Sequence, residues 1–183
     1  MNKAIRILVF TNSFVLLASA MFGPIYAIFV EEVGGGILEA SWSVGIYSLM
    51  SAIALYVFGK YEDRMKQQEL AVAAGYLILT VGYFGYLFVH SIWALYLVQV
   101  ILGVGMALYS PAFDALYSQH ITPTRAASQW GIWELMANLI SSGGAVLGGL
   151  LANFFGFSIL FVAMGVLCFL SAVFIWVQPR RVL

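Results

Sequence analysis

Long uninterrupted runs of apolar residues follow one another along the chain, and charged residues gather between them. Six such runs lie at residues 7–30, 41–58, 70–89, 92–117, 128–154 and 158–177. Each has roughly the 20 residues that an α-helix needs to cross the hydrocarbon core of a bilayer. Strands of a membrane barrel would be about half as long and would alternate in polarity. The pattern predicts an all-α integral membrane protein, with residues 1–183 forming one six-helix domain whose spans we number 1 to 6.

The composition excludes several other classes of protein. Hydrophobic residues make up 63% of the chain and charged residues 9%, whereas soluble domains are nearer half apolar and a quarter charged. The single cysteine excludes a disulfide framework. The net charge is zero, so the chain has no basic footprint for nucleic acid.

Positive charge is confined to alternate connections between the predicted spans. The eight Lys and Arg residues precede span 1, lie between spans 2 and 3 or spans 4 and 5, or follow span 6: Lys3, Arg6, Lys60, Arg64, Lys66, Arg125, Arg180 and Arg181. The positive-inside rule places connections that carry cations in the cytoplasm. We therefore predict a single orientation, with both termini and the loops 59–69 and 118–127 cytoplasmic, in a multi-pass protein of a prokaryotic inner (plasma) membrane.

Two acidic residues lie inside predicted spans, where an ionisable side chain is costly and indicates a functional site. By the rise of an α-helix, Asp114 lies about 15 Å from the middle of span 4, and Glu134 lies about 10 Å from the middle of span 5. Both are displaced towards the cytoplasm. Each is interpreted either as an interfacial carboxylate paired with Arg64 or Arg125, or as a carrier of protons.

Other polar and small residues repeat at helical spacing and therefore share faces of the predicted helices. The candidate pathway for substrate or protons comprises Asn12, Ser19, Gln99, Ser110, Glu134 and Asn138. Four small residues of span 5 are candidates for close helix packing or for a seam between two copies of the chain: Ser141, Gly144, Gly148 and Gly149. Small and hydroxylated residues serve in both packing and pathways, so both interpretations of these faces stay open.

The sequence lacks the residue groups that enzymes need. It contains no H-E-x-x-H motif, no Walker loop and no cysteine cluster with metal-ligand spacing. His90 and His120 fall in predicted loops on opposite sides of the membrane and cannot share a site. We predict no enzymatic activity, no metal and no cofactor, and we expect a protein that moves or binds a solute within the bilayer.

Three segments resemble motifs of the major facilitator superfamily, in the same order and on the same helices. The segment 59–66 joins spans 2 and 3 and resembles the family's G-x-x-x-D-R-x-G-[RK] loop, with matches at Gly59, Asp63 and Arg64. Lys66 stands where the second glycine is usual. The resemblance implies a cytoplasmic gate at this loop, which Asp114 and Arg125 are placed to join.

The other two segments lie within spans 4 and 5. Span 4 contains Gln99-x3-Gly103-x-Gly105-x-Ala107-x3-Pro111, which is similar to the family's R-x3-G-x-G-x-a segment with Gln99 in place of arginine. The segment 144–149 of span 5 is similar to the G-P-x-x-G-G motif of drug–proton antiporters, with Ala145 in place of proline.

The family has twelve helices in two six-helix halves of the same orientation, so this chain resembles one half, the N-terminal half of drug–proton antiporter-like members. The resemblance implies a secondary active transporter that works by alternating access, and the single predicted orientation suits a parallel homodimer that rebuilds the twelve-helix arrangement. We expect spans 1 and 4 to line a central cavity, spans 2 and 5 to form the seam, and spans 3 and 6 to lie outside. The expected cargo is a small neutral or amphiphilic solute, with any proton coupling through Glu134 or Asp114.

Two other functions fit a six-helix chain of this length. One is a substrate-binding membrane subunit of an energy-coupling transporter, which would copurify with ATPase subunits. The other is a structural membrane subunit that transports nothing, which transport by the purified chain alone would exclude.

Overall fold

The computed structural model describes residues 3–62 and 67–178, with the backbone alone at 60–62. Their helices are α1 (Lys3–Phe22), α2 (Tyr26–Glu32), α3 (Ile37–Glu62), α4 (Gln68–Gly85), α5 (Ile92–His120) and α6 (Ala126–Val177). Short 3-10 turns lie at Gly23–Ile25, Tyr86–Phe88 and Pro123–Arg125. In the described ranges every regular element is helical, and five helical stretches are long and apolar enough to cross a membrane.

The first predicted span is not one continuous α-helix. The 3-10 turn Gly23–Ile25 separates α1 from α2, and Pro24 lies within this turn. Proline has no backbone N–H and its ring clashes with the preceding turn of an α-helix. The interruption falls within the predicted range 7–30, where the apolar run gave no signal of it.

A single glycine divides the longest helix. Gly156 has φ 81° and ψ 169° inside α6, a region of backbone conformation that is nearly restricted to glycine. A straight helix of 52 residues would be about 78 Å long, more than twice the thickness of the hydrocarbon core. The chain therefore reverses at Gly156, and we name the two parts α6N (126–155) and α6C (157–177). They fall on predicted spans 5 and 6.

The connection between predicted spans 1 and 2, residues 31–40, is shorter in the structure. α2 continues to Glu32 and α3 already begins at Ile37. The carboxylate of Glu39 accepts a hydrogen bond from the backbone N–H of Gly36 at 2.8 Å, and so satisfies a donor at the start of α3 that has no partner within the helix. This local hydrogen bond starts the helix one turn before the apolar run.

Glycines let α5 pack closely between α3 and α4. A Cβ atom at Gly103 would lie 2.6 Å from the carbonyl oxygen of Tyr47 on α3. A Cβ at Gly75 of α4 would lie 2.8 Å from the backbone nitrogen of Tyr109 on α5. Helices in lipid associate through such close backbone contacts, because lipid tails are as apolar as the side chains.

Two of the candidate seam residues pack within the chain instead. A Cβ at Gly148 would overlap the backbone carbonyl of Met21, and a Cβ at Gly144 would lie 2.9 Å from the Cβ of Ala20. Both glycines are buried against α1. Of the two interpretations of this face, the structure assigns packing inside one chain to Gly144 and Gly148, whereas Ser141 and Gly149 remain only half-buried.

Spans 3 and 6, which we expect to lie outside the seam between two copies, are well packed within the single chain. α4 is the most buried of the long helices, with 56% of its apolar stretch covered by the rest of the chain. α6C buries a full face, where Gly165 receives the ring of Phe84 and Cys168 is fully enclosed. The hydroxyl of Ser171 donates to the carbonyl of Thr11 on α1 at 2.9 Å. Both helices are therefore held firmly by their neighbours in the chain, and their place relative to a second copy stays a prediction.

We predict that Gly148→Ala separates α1 from α6N and destabilises the protein. The added methyl group has no space beside Met21, and overpacking of this kind costs about 1–3 kcal/mol. Thermal unfolding of the purified protein in detergent measures the effect as a lower Tm. Gly143→Ala is the matched control, since a Cβ there meets nothing within 4 Å; an equal loss in both variants would contradict the packing.

Candidate functional site

A cavity of about 410 Å³ lies at the centre of the bundle. α1, α2, α3, α4, α5 and α6C all contribute to its wall. The wall is mainly apolar, and its polar groups are the side chains of Gln99, Ser19 and five tyrosines. Ligand pockets in proteins have this size and this mixture of apolar surface with a few polar groups.

The carboxamide of Gln99 joins four parts of the bundle at this cavity. Its Nε2 atom donates to the hydroxyl of Tyr26 on α2 at 2.6 Å and to the hydroxyl of Tyr86, after α4, at 3.1 Å. Tyr26 in turn donates to the hydroxyl of Ser43 on α3 at 2.6 Å. Gln99 is only 5% exposed, so these bonds form where water competes little.

Two of the predicted pathway residues, Gln99 and Ser19, line the cavity. Asn12 lies deeper in the bundle, where its Oδ1 atom accepts a hydrogen bond from the hydroxyl of Tyr76 at 3.1 Å. Ser110 is half-buried on α5 and is not part of the cavity wall. The structure therefore brings residues of spans 1 and 4 together at a cavity within the chain, but not the whole polar face of either span.

The pathway candidates of span 5 lie away from the cavity. Glu134 and Asn138 are exposed on α6N. The side-chain amide of Asn138 donates to the backbone carbonyl of Glu134, one turn earlier, at 2.8 Å. The chain itself leaves these two polar side chains uncovered.

The predicted cytoplasmic gate is described only in part. Asp63 and Arg64 lie outside the described residues, and Gly59 lies near the end of α3. Asp114 on α5 and Arg125 at the start of α6N are both exposed. In the part of the chain that the structure covers, no ion pair joins Asp114 to Arg125.

Sequence reasoning missed most of the tyrosines that line the cavity. Tyr47, Tyr83, Tyr86 and Tyr109 are cavity residues that the polar faces did not include. Tyrosines of membrane proteins concentrate at the membrane interface, and a buried tyrosine hydroxyl usually has a hydrogen-bond partner. A tyrosine near the middle of a predicted span, such as Tyr109, is therefore the signal that could have found them.

An aromatic cluster separates the central cavity from a second one of about 590 Å³. The second cavity lies where residues 33–34 and 89–90 meet the start of α6C at Phe157, and Tyr86 lines both cavities. The ring of Tyr86 stacks on that of Phe161, with the ring centroids 4.9 Å apart, and packs edge-on against Phe22, with the centroids 5.0 Å apart.

Among the residues described, no three His, Cys, Asp or Glu side chains could together hold a metal ion.

Comparison with known proteins gives one consistent family. The sequence model of the Major Facilitator Superfamily matches residues 8–182. The chain is 26% identical over 158 residues to the uncharacterized MFS-type transporter YitZ of Bacillus subtilis (strain 168), covering 84% of this chain and 93% of YitZ. It is 24% identical over 189 residues to the multidrug resistance protein MdtG of Proteus mirabilis (strain HI4320), covering 98% of this chain and 46% of MdtG. The chain thus spans less than half the length of MdtG.

The fold is similar to that of a solved transporter. The in meso crystal structure of the POT family transporter PepTSo superposes on the whole of this chain with a TM-score of 0.84. The match covers 38% of the PepTSo chain at 19% sequence identity. At this identity the likeness concerns the fold alone.

We predict that Gln99→Leu destabilises the protein, because the hydroxyls of Tyr26 and Tyr86 lose their buried donor. A buried polar group left without its partner costs about 1–3 kcal/mol, which thermal unfolding in detergent detects. Gln119→Leu is the matched control on the same helix. The exposed Gln119 amide donates to the side chain of Gln68 at 2.9 Å, and such surface changes stay within about 0.5 kcal/mol. Equal effects would contradict the role of Gln99.

Proposed function

The chain belongs to the major facilitator superfamily, and from this membership we propose that it is one six-helix half of a secondary active transporter. In this proposal the six spans are α1 with α2, α3, α4, α5, α6N and α6C, with both termini in the cytoplasm. Two copies, side by side and parallel, move a small uncharged or amphiphilic solute by alternating access. The family match over residues 8–182 supports transport as the general function.

The observation that carries the proposal is the exposed polar surface of α6N. Glu134 and Asn138 lie on a membrane-spanning helix, yet no other part of the described chain covers them. A carboxylate that faced lipid tails would be costly, so intramembrane acids face a bundle interior or a water-filled cavity. A second half beside α6N would provide that environment.

The apolar surface supports the same arrangement. Only 11% of the apolar stretch of α3 is buried inside the chain, compared with 33–56% for the other long helical stretches. α6N buries only Trp133, Gly144 and Gly148 among its residues. α3 and α6N, which correspond to spans 2 and 5, are therefore the two surfaces that the chain leaves most available.

The orientation of the chain supports a parallel second copy. All eight cations lie in connections that one topology places in the cytoplasm, so two copies insert the same way up. Since the halves of the family are related by an axis along the membrane normal, a two-fold axis of the same direction would rebuild the arrangement. α3 packs on α5, and α6N packs on α1. The axis would then bring α3 of one copy beside α6N of the other.

The packing favours movement between copies over movement within one. Backbone contacts at Gly103 and Gly148 fix α5 to α3 and α6N to α1. Each bundle then rocks as a unit, which exposes the cavity to alternate sides of the membrane. The cytoplasmic gate would include Gly59, Asp63 and Arg64, with Asp114 and Arg125 nearby.

Intermolecular crosslinking tests the proposed seam. Leu49 on α3 is 60% exposed and Leu139 on α6N is 65% exposed. When Leu49→Cys and Leu139→Cys copies carrying different tags are expressed together, we expect a bis-maleimide to join the two tags. The native Cys168 is fully buried and does not compete. Phe169→Cys, exposed on α6C, is the control that should not crosslink with either variant.

Mass measurement tests the same pairing without substitutions. In lipid nanodiscs we expect a complex of twice the chain mass of 20.1 kDa. A monomer that transports by itself, or crosslinks that form equally well through Phe169→Cys, would contradict the parallel homodimer.

We predict that Glu134→Gln abolishes solute uptake driven by a pH gradient, because the amide cannot carry a proton. Accumulation of radiolabelled chloramphenicol, the first of a panel of uncharged amphiphiles, is measured in proteoliposomes against protein-free vesicles. Glu31→Gln is the control, since Glu31 is an exposed acid at the end of α2. Undiminished uptake by Glu134→Gln would leave Glu134 with a structural role, and Asp114→Asn then tests the other acid.

A further inference from the structure

Three buried tyrosines at the central cavity keep a hydroxyl proton without an acceptor. Tyr83, Tyr86 and Tyr109 line the cavity and are 6%, 3% and 6% exposed. The hydroxyl of Tyr86 accepts a bond from Gln99, but within the described residues none of the three donates one. The cavity wall therefore offers three hydrogen-bond donors.

The other buried tyrosines of the described chain behave differently. Tyr76 donates to Asn12 at 3.1 Å, and Tyr117 donates to the backbone carbonyl of Gln129 at 2.7 Å. Neither of them lines the cavity. Buried tyrosine hydroxyls thus have acceptors everywhere except at the cavity wall, which indicates that the cavity itself is where their acceptors are supplied.

The Gln99 carboxamide adds one acceptor to these donors. Both hydrogens of its Nε2 atom are used, towards Tyr26 and Tyr86. Its Oε1 atom has no partner among the residues described. Because its Nε2 atom bonds to the hydroxyl of Tyr86, the buried Gln99 acts as a positioning residue for that hydroxyl.

The charge of the wall limits what can occupy it. No Asp, Glu, Lys, Arg or His occurs among the described residues that line the cavity. An ion placed there would lose its hydration without gaining a partner of opposite charge. An uncharged ligand with acceptor atoms would instead satisfy hydroxyls whose burial is otherwise costly, and its flat apolar parts would pack on the tyrosine rings.

We propose that the cavity selects uncharged aromatic ligands that present a hydrogen-bond acceptor, such as a carbonyl oxygen, to the hydroxyls of Tyr83 and Tyr109. This specificity rests on the proposed function only in taking the cavity as the place where the solute binds. The volume of about 410 Å³ suits a ligand of two or three fused rings.

A matched pair of probes tests the selection. 9-Fluorenone and fluorene have the same shape and differ by one carbonyl acceptor. Their equilibrium binding to the full chain in lipid nanodiscs is measured and corrected for partition into nanodiscs without protein. We expect the wild-type chain to bind fluorenone about three- to tenfold more tightly than fluorene, as one hydrogen bond predicts.

Phenylalanine variants then assign the preference to the hydroxyls. In Tyr83→Phe combined with Tyr109→Phe, we expect equal affinities for the two probes and an unchanged affinity for fluorene. Tyr117→Phe, which removes a hydroxyl that lies off the cavity, should keep the wild-type preference. A wild-type chain that binds both probes equally or binds neither, or a double variant that retains the preference, would overturn the proposal.

Stability provides an independent measurement. The hydroxyls of Tyr83 and Tyr109 bond to none of the described residues, so their removal should leave Tm unchanged or raise it. Tyr76→Phe should lower Tm, because it leaves the buried Asn12 without its donor. Failure of the proposed transporter would appear as absent transport and absent dimers, whereas failure of this proposal appears as absent probe preference.

Discussion

Hydrocarbon offers no hydrogen-bond partner to a protein, and this constraint governs how the helices of the bundle are tied together. Several polar side chains inside the bundle bond to groups on other helices, as Gln99 does towards Tyr26 and Tyr86 and Tyr26 does towards Ser43. Such bonds fix the position of α5 relative to α2, α3 and the end of α4. Under the same constraint, polar groups without a partner in the described chain are where we propose that a ligand or a second copy makes contact.

Glycine determines how closely the helices approach one another. Gly103 and Gly148 stand where the backbone of a neighbouring helix occupies the space of a side chain. A bundle packed in this way resists relative movement of its helices, because small shifts bring backbone atoms into collision. In the proposed transporter, the change of shape would occur at the surfaces between two bundles, which we place at the sparsely covered faces of α3 and α6N.

Much of the fold could be predicted from sequence because the thickness of a bilayer fixes the length of an apolar run. The turn at Pro24 was not predicted, since this break in the helix lies inside an unbroken apolar stretch.

The site was predicted less completely. Gln99 and Ser19 were named as candidates because amide and hydroxyl groups stand out in an apolar span, and both line the cavity. In the sequence Tyr83 is one aromatic residue among many in an apolar span. Its place in the cavity wall depends on neighbours that only the folded chain brings together. The small face around Gly148 was recognised, but sequence does not say which helix it meets.

The one-residue turn at Gly156 has a mechanical consequence for the first helix. α6N contacts α1 at Met21 through Gly148, and α6C contacts α1 at Thr11 through Ser171. These two contacts lie about 15 Å apart along α1. They are made by α6N and α6C, which are joined at Gly156. A displacement of α1 along its axis must therefore move α6N and α6C with it. A force applied at one end of α1 is then shared among these three helices.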